Sequence, residues 1–600
     1  MKKHFSYLLS ALMLLFAQVS LAVTVKQVSG TIDITDGVDY IISNATPFAD
    51  DNSLVNIVNT DKAVVILEAV KPSEALKLLK KHVRINGAEA KNNINCQVKI
   101  YNRGAIILPY IHKNILTLYS EPNFEGTAVS NFGLEDAGGF MNTLTDAKLN
   151  NQVQSFKLKR GYMVTFSTLA NGRGYSRCFI AAKKDLEIAK LPTVLNKRIT
   201  SYRVFKWYDT GKQQLAAASG DNAACSALNV TSTYGWNEGT SMAPDVECVP
   251  HHIYEDWPSP ATCGKSTNSP HMKTNNEPLN KSDDHPQDLK TILDNWENLM
   301  ATGMRLCSPS SWDGSDYWSG TGFLKEFFDS IDARGWRCDI IDLHGYWAEG
   351  SFSKNIPNWL KAVKRPVWVS EWCWGASWGQ DTASKGAFAS GVTQTQVKEA
   401  LQRICSTMNS LPYVERYYYW NGERDISKLY LNGKLTPAGE YYATIKTTLG
   451  YNDRYEFIPT TPRQYDPSNF KVTIANGKAT IKWNDKNGEY NQLMEVQRRT
   501  RENGWTTLAV IDQQEKAASY TYEDAVAEAG AIYRIHILDV NGKDRYTAAD
   551  GDVTGINIPE GSEEETDGVK RYRLDGRQTS RRQGLYLEQR KGQTRKIFTR

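Results

Sequence analysis

Two glutamates, each at the end of a short run of strand-forming residues, are the side chains of this sequence best suited to chemistry. The stretch HMKTNNEPLN contains Asn276, Glu277 and Pro278, and the stretch PVWVSEW contains Glu371. A retaining glycosidase needs one protonated carboxyl for the leaving oxygen, and a second, ionised carboxyl about 5 Å away that attacks the anomeric carbon. We therefore predict glycoside hydrolysis, with Glu277 as the acid/base and Glu371 as the nucleophile.

The residues around the two glutamates favour this interpretation. Pro278 has no backbone N–H, so the strand must end there and leave Glu277 at its end, facing a cleft. The amide of Asn276 can donate to a sugar hydroxyl, and a bond to the 2-hydroxyl is worth several kcal/mol at the transition state. Residues 367–369 are apolar throughout, which is typical of a parallel barrel strand that is buried on both faces and carries Glu371 to the rim.

Helical patterns alternate with these strand motifs. Apolar residues recur at helical spacing in five stretches, and three of the five end at glycine. Alternating strands and helices in one long domain predict a parallel sheet with helices outside, and an active site at the C-terminal ends of the strands. The five stretches are PQDLKTILDNWENLMATG, GFLKEFFDSIDARG, IPNWLKAVK, TQVKEALQRICSTMN and PAGEYYATIKTTLG.

The order of the strand motifs resembles family 128 of the glycoside hydrolases, a family of endo-β-1,3-glucanases. The resemblance covers about residues 212 to 450 and implies a (β/α)8 barrel over residues 209–457, with Glu277 on strand four and Glu371 on strand seven. It implies a β-1,3-glucan substrate and no metal or cofactor. The stretches that carry it are VTSTYGWNEG, DVECVPHHIYEDWP, HMKTNNEP, RLCSPSSW, CDIIDLHGYW, PVWVSEW and VERYYYW.

The resemblance also implies roles for residues beyond the two glutamates. His344 and Tyr346 match the strand-six motif of the family, in which a tyrosine hydrogen-bonds the nucleophile, although a histidine at a strand end is also common in a core. Stacking on sugar rings competes with core packing for every tryptophan. The predicted substrate-binding residues are Asn276, Trp236, His344, Tyr346, Trp372 and Trp420, with Trp257, Trp312, Trp318 and Trp378 as rim candidates without a role.

One stretch departs from the family. Lys273, Thr274 and Asn275 stand before Asn276, where the family usually has apolar residues, a glycine and an aromatic residue. These polar residues either line the floor of a subsite or mark a sequence that has drifted to another substrate. Two alternatives therefore remain, namely another retaining β-glycanase acting on mannan, xylan or a β-1,4-glucan, and a catalytically inactive glycan-binding protein.

The expected protonation of the two carboxyls follows from their predicted roles. We expect burial and the charge of Glu371 to raise the pKa of Glu277, so that Glu277 stays protonated. We expect hydrogen bonds from Tyr346 and from the rest of the site to keep Glu371 ionised.

The first residues predict export. In residues 1–22 two lysines precede the apolar run LLSALMLLFA, and small residues follow, as in a cleaved secretory signal. Ala22 is not followed by the cysteine of a lipoprotein anchor, and no later apolar run approaches the ~20 residues that span a bilayer. We expect an extracellular, cell-surface or periplasmic protein, and the formal net charge of +4 is too small to indicate a nucleic-acid partner.

Two accessory domains are predicted before the barrel. Residues 23–112 alternate apolar and polar residues, which favours a β-rich domain, with one short helix, SEALKLLKK, after Pro72. Residues 113–208 resemble a pair of βγ-crystallin Greek keys, with Gly126 and Gly174 at turn positions that need a positive φ. Some crystallin-type loops bind calcium, but here Gln154 and Lys197 replace oxygen ligands. We therefore prefer structural use or glycan binding over calcium.

The end of the chain is predicted to hold one more domain and a tail. Residues 458–557 resemble a fibronectin type III sandwich, with Trp483, Tyr522 and Tyr533 as its core aromatics, and a spacer is the preferred role. Residues 558–600 read as an acidic linker and a basic tail. The tail also resembles the short C-terminal β-domains of Bacteroidetes secreted proteins.

The chain has nine cysteines, seven of them in the predicted barrel. Export would permit disulfides, and an odd number leaves at least one thiol unpaired, but the pairing cannot be predicted from sequence. No Cys-x-x-Cys or paired-histidine spacing indicates zinc.

Overall fold

The computed structural model of the chain describes most of residues 21–551 and, beyond them, the backbone of three strands. The gaps are at 241, 256, 267, 279, 281–286, 311–321, 377–391, 423, 462–464, 487, 501–502, 513, 515–516, 528–529 and 540–542. The chain divides into two compact units, Met1–Arg463 and Gln464–Arg600. Most of the predicted signal peptide, residues 1–20, lies outside the described residues.

The first unit begins with two small sheets built mainly from parallel strands. Strands β1, β3 and β5 pair in parallel, and so do β2, β4 and β6, so successive strands alternate between two stacked sheets. The predicted helix forms as α1, with Pro72 in its first turn. The elements are β1 (Leu21–Val25), β2 (Thr31–Ile34), β3 (Val38–Ile42), β4 (Leu54–Ile57), β5 (Val64–Leu67), α1 (Pro72–His82), β6 (Val83–Ile85), β7 (Ala88–Glu89), β8 (Gln97–Asn102) and β9 (Gly104–Leu108).

The next region is crystallin-like, with two four-stranded antiparallel sheets. Each sheet takes three strands from one half of the repeat and one from the other, in the orders β11-β10-β13-β16 and β12-β17-β14-β15. Gly126 and Gly174 have φ values of 74° and 76°, as predicted. The strands are β10 (Leu116–Tyr119), β11 (Ala128–Phe132), β12 (Asn142–Thr143), β13 (Ser155–Leu158), β14 (Tyr162–Ser167), β15 (Ser176–Ala181), β16 (Leu186–Ile188) and β17 (Ser201–Lys206).

In the first crystallin-like loop, the side chains of Gln154 and Ser155 hydrogen-bond to backbone carbonyl oxygens. The side-chain amide of Gln154 donates to the carbonyl oxygen of Ser120 at 2.7 Å, and the hydroxyl of Ser155 donates to the carbonyl oxygen of Glu121 at 2.6 Å. The preference for a role other than calcium binding stays a prediction. Within the described part of the chain, no group of three or more acidic, histidine or cysteine side chains could hold a metal.

The α/β region follows in the predicted order of strands and helices. Its elements are β18 (Asp209–Thr210), β19 (Gln213–Ala216), α2 (Asn222–Ala227), β20 (Ser232–Tyr234), β21 (Glu247–Val249), β22 (His251–His252), α3 (Pro260–Gly264), β23 (His271–Thr274), α4 (Leu289–Ala301), β24 (Arg305–Pro309), α5 (Phe323–Arg334), β25 (Ile341–His344), α6 (Phe352–Val363), β26 (Val367–Trp372), α7 (Gln394–Ser410), β27 (Val414–Trp420), β28 (Tyr430–Leu431), β29 (Lys434–Leu435) and α8 (Pro437–Thr444). No described helix is both long and apolar enough to cross a bilayer.

Apart from the antiparallel hairpin β28-β29, the strands that pair within this region are parallel, but they do not form one closed sheet. Their ladders run as a six-stranded sheet, β21-β20-β19-β27-β26-β25, and a three-stranded sheet, β22-β23-β24. Pro250, which has no N–H for a ladder bond, separates β21 from β22. On the other side, one isolated bridge from Cys307 to Ile340 joins β24 to the residue before β25. The predicted (β/α)8 barrel is thus found as two parallel sheets in the predicted strand order.

Apolar side chains pack on both faces of these strands. The larger cluster contains residues of α4 to α8, and a smaller cluster lies on the other strand face. Burial on both faces explains why the sequence of β26 is apolar along most of its length. The buried members of the smaller cluster are Ala216, Tyr234, Val249, Cys307, Ile340, Trp368 and Tyr418.

The second unit contains two antiparallel sheets with a shared core. Strands β30-β31-β34 form one sheet, and β33-β32-β35-β36 form the other, with β37 paired to β35. Trp483 and Tyr533 are buried, whereas Tyr522 is half-buried. The fibronectin type III assignment stays a prediction. The strands are β30 (Ser468–Ala475), β31 (Lys478–Asp485), β32 (Asn491–Arg499), β33 (Thr506–Val510), β34 (Ala518–Asp524), β35 (Ile532–Asp539), β36 (Asp544–Tyr546) and β37 (Asp550–Gly551), and in the tail β38 (Val569–Tyr572), β39 (Gly584–Arg590) and β40 (Gln593–Thr599).

Candidate active site

The turn after β23 presents Glu277 at the C-terminal end of its strand. Asn275 and Glu277 have φ values of 33° and 38°, a strained region for residues other than glycine. The turn is held by backbone bonds, because the N–H groups of Asn275 and Asn276 donate to the carbonyl oxygens of His252 and Ile253 at 2.7 and 2.8 Å. Strain of this kind persists only where the surrounding structure imposes it, and it is frequent at functional sites.

Both carboxyl oxygens of Glu277 accept hydrogen bonds. Oε1 lies 2.6 Å from Nδ1 of His344, and Oε2 accepts from the side-chain amide of Asn280 at 2.7 Å. The side chain of Glu277 is 14% exposed, so its carboxyl remains accessible at the surface of the site. The Oδ1 atom of Asn276 is buried and has no partner among the described residues, which leaves it able to bind a ligand hydroxyl.

Glu371 lies near the C-terminal end of β26, close to the hydroxyls of two tyrosines. The hydroxyl of Tyr346 donates to Oε1 at 2.5 Å, and that of Tyr234 lies 3.4 Å from Oε2. The Tyr234 hydroxyl also donates to the carbonyl oxygen of Ser370 at 3.0 Å. These contacts fix the position of the Glu371 carboxyl at the edge of the sheet.

His344 lies between the two glutamates. Its Nε2 is 3.7 Å from Oε2 of Glu371, while its Nδ1 contacts Glu277. Burial disfavours the cation, but the charges of Glu371 and Glu277 outweigh burial and raise the pKa of His344. Because the His344 side chain is wholly buried, it contacts the carboxyls rather than offering a free surface to substrate. The structure therefore places His344 against both carboxyls, whereas we predicted that it binds substrate.

The expected direction of the Glu277 pKa is wrong. Burial does act to raise it, but the charge and hydrogen bond of His344, the bond from Asn280 and the charge of Lys273 together lower the pKa of Glu277 below its usual value. The expectation failed because it considered Glu371 alone and not the imidazole between the two carboxyls. In the free site, the proton shared by Glu277 and His344 therefore favours His344.

The three tryptophans predicted to bind sugar have different environments. Trp236, which follows β20, is 42% exposed, and its indole is 5.4 Å from the ring of His251. Trp420 ends β27 at the same edge of the sheet, is partly exposed, and contacts the ring of Tyr346 edge-on at 6.3 Å. Both positions remain compatible with stacking on a sugar.

Trp372 is a prediction that the structure does not support. Its side chain is fully buried, and its ring packs against Phe352, Tyr417 and Tyr419. Neighbouring residues of a strand point to opposite faces, so Trp372 points toward the helices when Glu371 points into the cleft. Trp372 is therefore a core residue without a ring face for a substrate.

Of the four rim candidates, Trp257 lies in the described part of the chain. Trp257 is 48% exposed and stacks on Tyr254, with ring centroids 5.7 Å apart, in the loop after β22. Trp312, Trp318 and Trp378 lie outside the described residues.

Sequence reasoning did not find several residues that contact the site. Asn280 and Tyr234 touch the two carboxyls directly. Beneath them, the ammonium of Lys273 contacts Oδ2 of Asp342 at 2.5 Å and the hydroxyl of Ser370 at 2.7 Å. The available signal was the position of Lys273 on a buried strand, since a fully buried lysine normally has an acidic partner.

Comparison with known proteins agrees with the assignment of chemistry to this region. Residues 214–442 match a family model described as the glycosyl hydrolase catalytic core. No curated protein sequence matches the chain.

Solved structures similar to parts of the chain include glycoside hydrolases and βγ-crystallin domains. A family 128, subgroup I endo-β-1,3-glucanase from Amycolatopsis mediterranei in complex with laminarihexaose is 25% identical, covers 39% of this chain and 100% of its own, and has a TM-score of 0.34. The same enzyme in complex with laminaritriose is 25% identical, covers 39% of this chain and 98% of its own, and has a TM-score of 0.34. A βγ-crystallin domain from Flavobacterium johnsoniae is 21% identical over 15% of this chain and 94% of its own, with a TM-score of 0.13. Residues 214–442 of this chain, which include both glutamates, thus match the glycosyl hydrolase catalytic core.

Proposed function

We propose that this chain is an exported, retaining endo-β-1,3-glucanase that cleaves β-glucan by double displacement. The observation that carries the proposal is the single imidazole of His344 in contact with both Glu277 and Glu371 at the C-terminal ends of parallel strands. The substrate is the one implied by the resemblance of the strand motifs to family 128, and export is implied by residues 1–22. We also propose that the two parallel sheets together make up one (β/α)8 barrel.

The first step forms a covalent glycosyl-enzyme. A carboxylate oxygen of Glu371 attacks the anomeric carbon, while the glycosidic oxygen takes a proton from Glu277 and leaves as an alcohol. The Tyr346 hydroxyl, 2.5 Å from Oε1 of Glu371, fixes the orientation of the attacking carboxylate. Asn276 is available to bind the 2-hydroxyl of the sugar that reacts.

The second step hydrolyses that intermediate. Glu277, now ionised, takes a proton from a water molecule, whose oxygen attacks the anomeric carbon and releases Glu371. The sugar product keeps the β configuration, because the carbon has been inverted twice.

His344 supplies the proton that the first step needs. In the free site the pKa of Glu277 is lowered and that of His344 is raised, so the proton of their 2.6 Å hydrogen bond favours His344. A bound sugar excludes water from the cleft, which disfavours the charged carboxylate and moves the proton toward Glu277.

Substitution of the two carboxyls tests the proposal. Glu277→Gln and Glu371→Gln should each lower the release of reducing ends from laminarin by about 10³-fold or more, because neither amide can perform acid/base or nucleophilic catalysis. Glu349→Gln is the matched control, since Glu349 pairs with Arg403 on the surface and should be dispensable. Wild-type activity in either of the first two variants would contradict the assigned roles.

Product analysis of the wild type then separates the alternatives. We expect activity on laminarin and curdlan above that on lichenan, xylan and mannan, with the β-anomer as the first product seen by proton NMR. Preference for mannan, xylan or a β-1,4-glucan would favour another β-glycanase. Retention on a polysaccharide affinity gel without any product would favour an inactive glycan binder.

A further inference from the structure

The buried ion pair beneath the two glutamates is the part of the site that the family resemblance does not explain. Lys273 is fully buried, and its ammonium contacts a side chain on each of two other strands, Asp342 on β25 at 2.5 Å and Ser370 on β26 at 2.7 Å. It also lies 4.6 Å from the ring centroid of Tyr234, at the end of β20. One charged group therefore joins β23 to β20, β25 and β26.

Each contact of Lys273 is next to a residue of the proposed reaction. Asp342 precedes His344 by two residues on β25, and Ser370 directly precedes Glu371 on β26. Lys273 itself precedes Glu277 by four residues. A displacement of about 1 Å between reacting groups can cost on the order of 100-fold in rate, so strand register here matters for chemistry.

The burial of Lys273 and Asp342 costs free energy, because both charged groups lose their contact with water. A buried ion pair is often no more stable than an apolar replacement of similar volume, whereas the loss of one partner is strongly destabilising. Register or orientation is the best attested benefit of such a pair. The position of Lys273 beneath the carboxyls fits that use.

We propose that Lys273 is a positioning residue, whose ammonium holds β25 and β26 in register and keeps a positive charge beneath the carboxyls of Glu277 and Glu371. This inference rests on the proposed function and adds a residue to it. Lys273 acts through its neighbours and does not touch the substrate.

The charge of Lys273 has a definite effect on the groups around it. It favours the ionised form of Glu277, whose pKa it lowers, and it opposes the cationic form of His344. Without this cation, both groups keep their proton to higher pH. The charged and titratable groups that face the ammonium or its contacts are Tyr234, His251, Glu277, Cys307, Asp342, His344 and Glu371.

The test compares Lys273→Met with the double variant Lys273→Met/Asp342→Asn. The single variant leaves Asp342 buried without its partner and should lose stability, and the double variant should regain most of it. In both, we expect kcat on laminarin to fall about 10- to 100-fold with KM changed less than about twofold, since substrate contacts remain. The basic limb of the kcat/KM profile should move to higher pH in Lys273→Met, and by less in the double variant, which also loses the negative charge of Asp342.

Two control variants separate position, charge and stability. Ser370→Ala removes one hydrogen bond but keeps the charge, so kcat should fall while the basic limb stays in place. Glu247→Gln weakens another buried ion pair, with Arg416 at 2.8 Å, and should lower the melting temperature without moving the limb. The inference fails if the folded double variant keeps wild-type kcat and pH profile, or if Glu247→Gln moves the limb equally.

A measurement that needs no turnover keeps this inference separate from the proposed function. The ring nitrogens of His344 can be followed by ¹⁵N NMR and assigned with a His344→Asn variant. We expect its titration to move to higher pH in Lys273→Met, and by less in the double variant, which also loses the charge of Asp342. An unmoved titration in Lys273→Met would overturn the inference. A wild type that hydrolyses no glycan of the panel would overturn the proposed function but leave the NMR result meaningful.

Discussion

The hydroxyl of Tyr346 is the residue-scale feature of the site that is easiest to test. It donates to Glu371 at 2.5 Å, and a hydrogen bond to a charged group is worth about 1.5 to 3 kcal/mol. Tyr346→Phe should therefore lower kcat on laminarin by about 10- to 100-fold. The ring can keep its edge-on contact with Trp420, so the melting temperature should stay within about 2 °C.

Tyr234→Phe serves as the comparison for Tyr346→Phe. The Tyr234 hydroxyl is 3.4 Å from Glu371 and donates to a backbone carbonyl at 3.0 Å, so its loss should lower kcat less. Equal kcat values for Tyr346→Phe and the wild type would exclude a role for Tyr346 in orienting the nucleophile.

At the same scale, residue type alone located the glutamates but not their charge state. Asn276–Glu277–Pro278 and the end of β26 identified both carboxyls, because a proline ends a strand and an apolar run indicates burial. The direction of the Glu277 pKa depends on His344, 67 residues away, and on Lys273, which lies in the strand before the turn that holds Glu277. Such contacts depend on the register of neighbouring strands, which local patterns do not define.

At the scale of elements, the position of a tryptophan on its strand determines its use. Trp372→Ala should lower the free energy of unfolding by about 3 to 5 kcal/mol, because the indole fills a buried space beside Phe352 and Tyr419. Trp236→Ala should change stability by less than about 1 kcal/mol, since Trp236 is 42% exposed, and should raise KM for laminarin several-fold.

Denaturant unfolding and steady-state kinetics measure these two effects separately. Trp372→Phe provides a milder control, which should recover part of the lost stability because it refills part of the space. A Trp236→Ala variant with an unchanged KM would remove Trp236 from the proposed sugar contacts. A stable Trp372→Ala variant would contradict its assignment to the core.

Helix periodicity located the elements better than it located their ends. The stretches that end at Gly303 and Gly335 form α4 and α5, and Gly335 has a φ of 64°, as a glycine after a helix should. The stretch that ends at Gly450 forms only α8, which ends at Thr444. Gly450 has a different reason to be glycine, because a Cβ there would lie 2.1 Å from the carbonyl oxygen of Glu415. Gly450 is therefore required by a tertiary contact, although in the sequence it resembles the glycine that ends a helix.

At the scale of the whole molecule, the presence of strands was more predictable than their pairing. Alternation in residues 23–112 predicts half-buried strands but does not distinguish parallel from antiparallel pairing. The parallel pairing of β1 with β3 and of β3 with β5 joins strands that are far apart in sequence. The break between β21 and β22 at Pro250 could be recognised in the sequence, because a proline cannot donate a hydrogen bond to a strand ladder. Its effect on the closure of the sheet depends on both neighbouring strands, which the sequence does not show.

The cysteines provide a test of the molecule as a whole. All nine are buried in the first unit of the chain, and none of them forms a disulfide. Burial raises the pKa of the Cys225 and Cys263 thiols to about 12, and the thiolate is the form that reacts. We therefore expect Ellman's reagent to titrate essentially no thiol in the native protein and nine after unfolding in guanidinium without reductant. Reductant should leave the melting temperature unchanged, because no disulfide constrains the unfolded chain. Seven thiols or fewer after unfolding would reveal a disulfide and contradict the packing of these side chains.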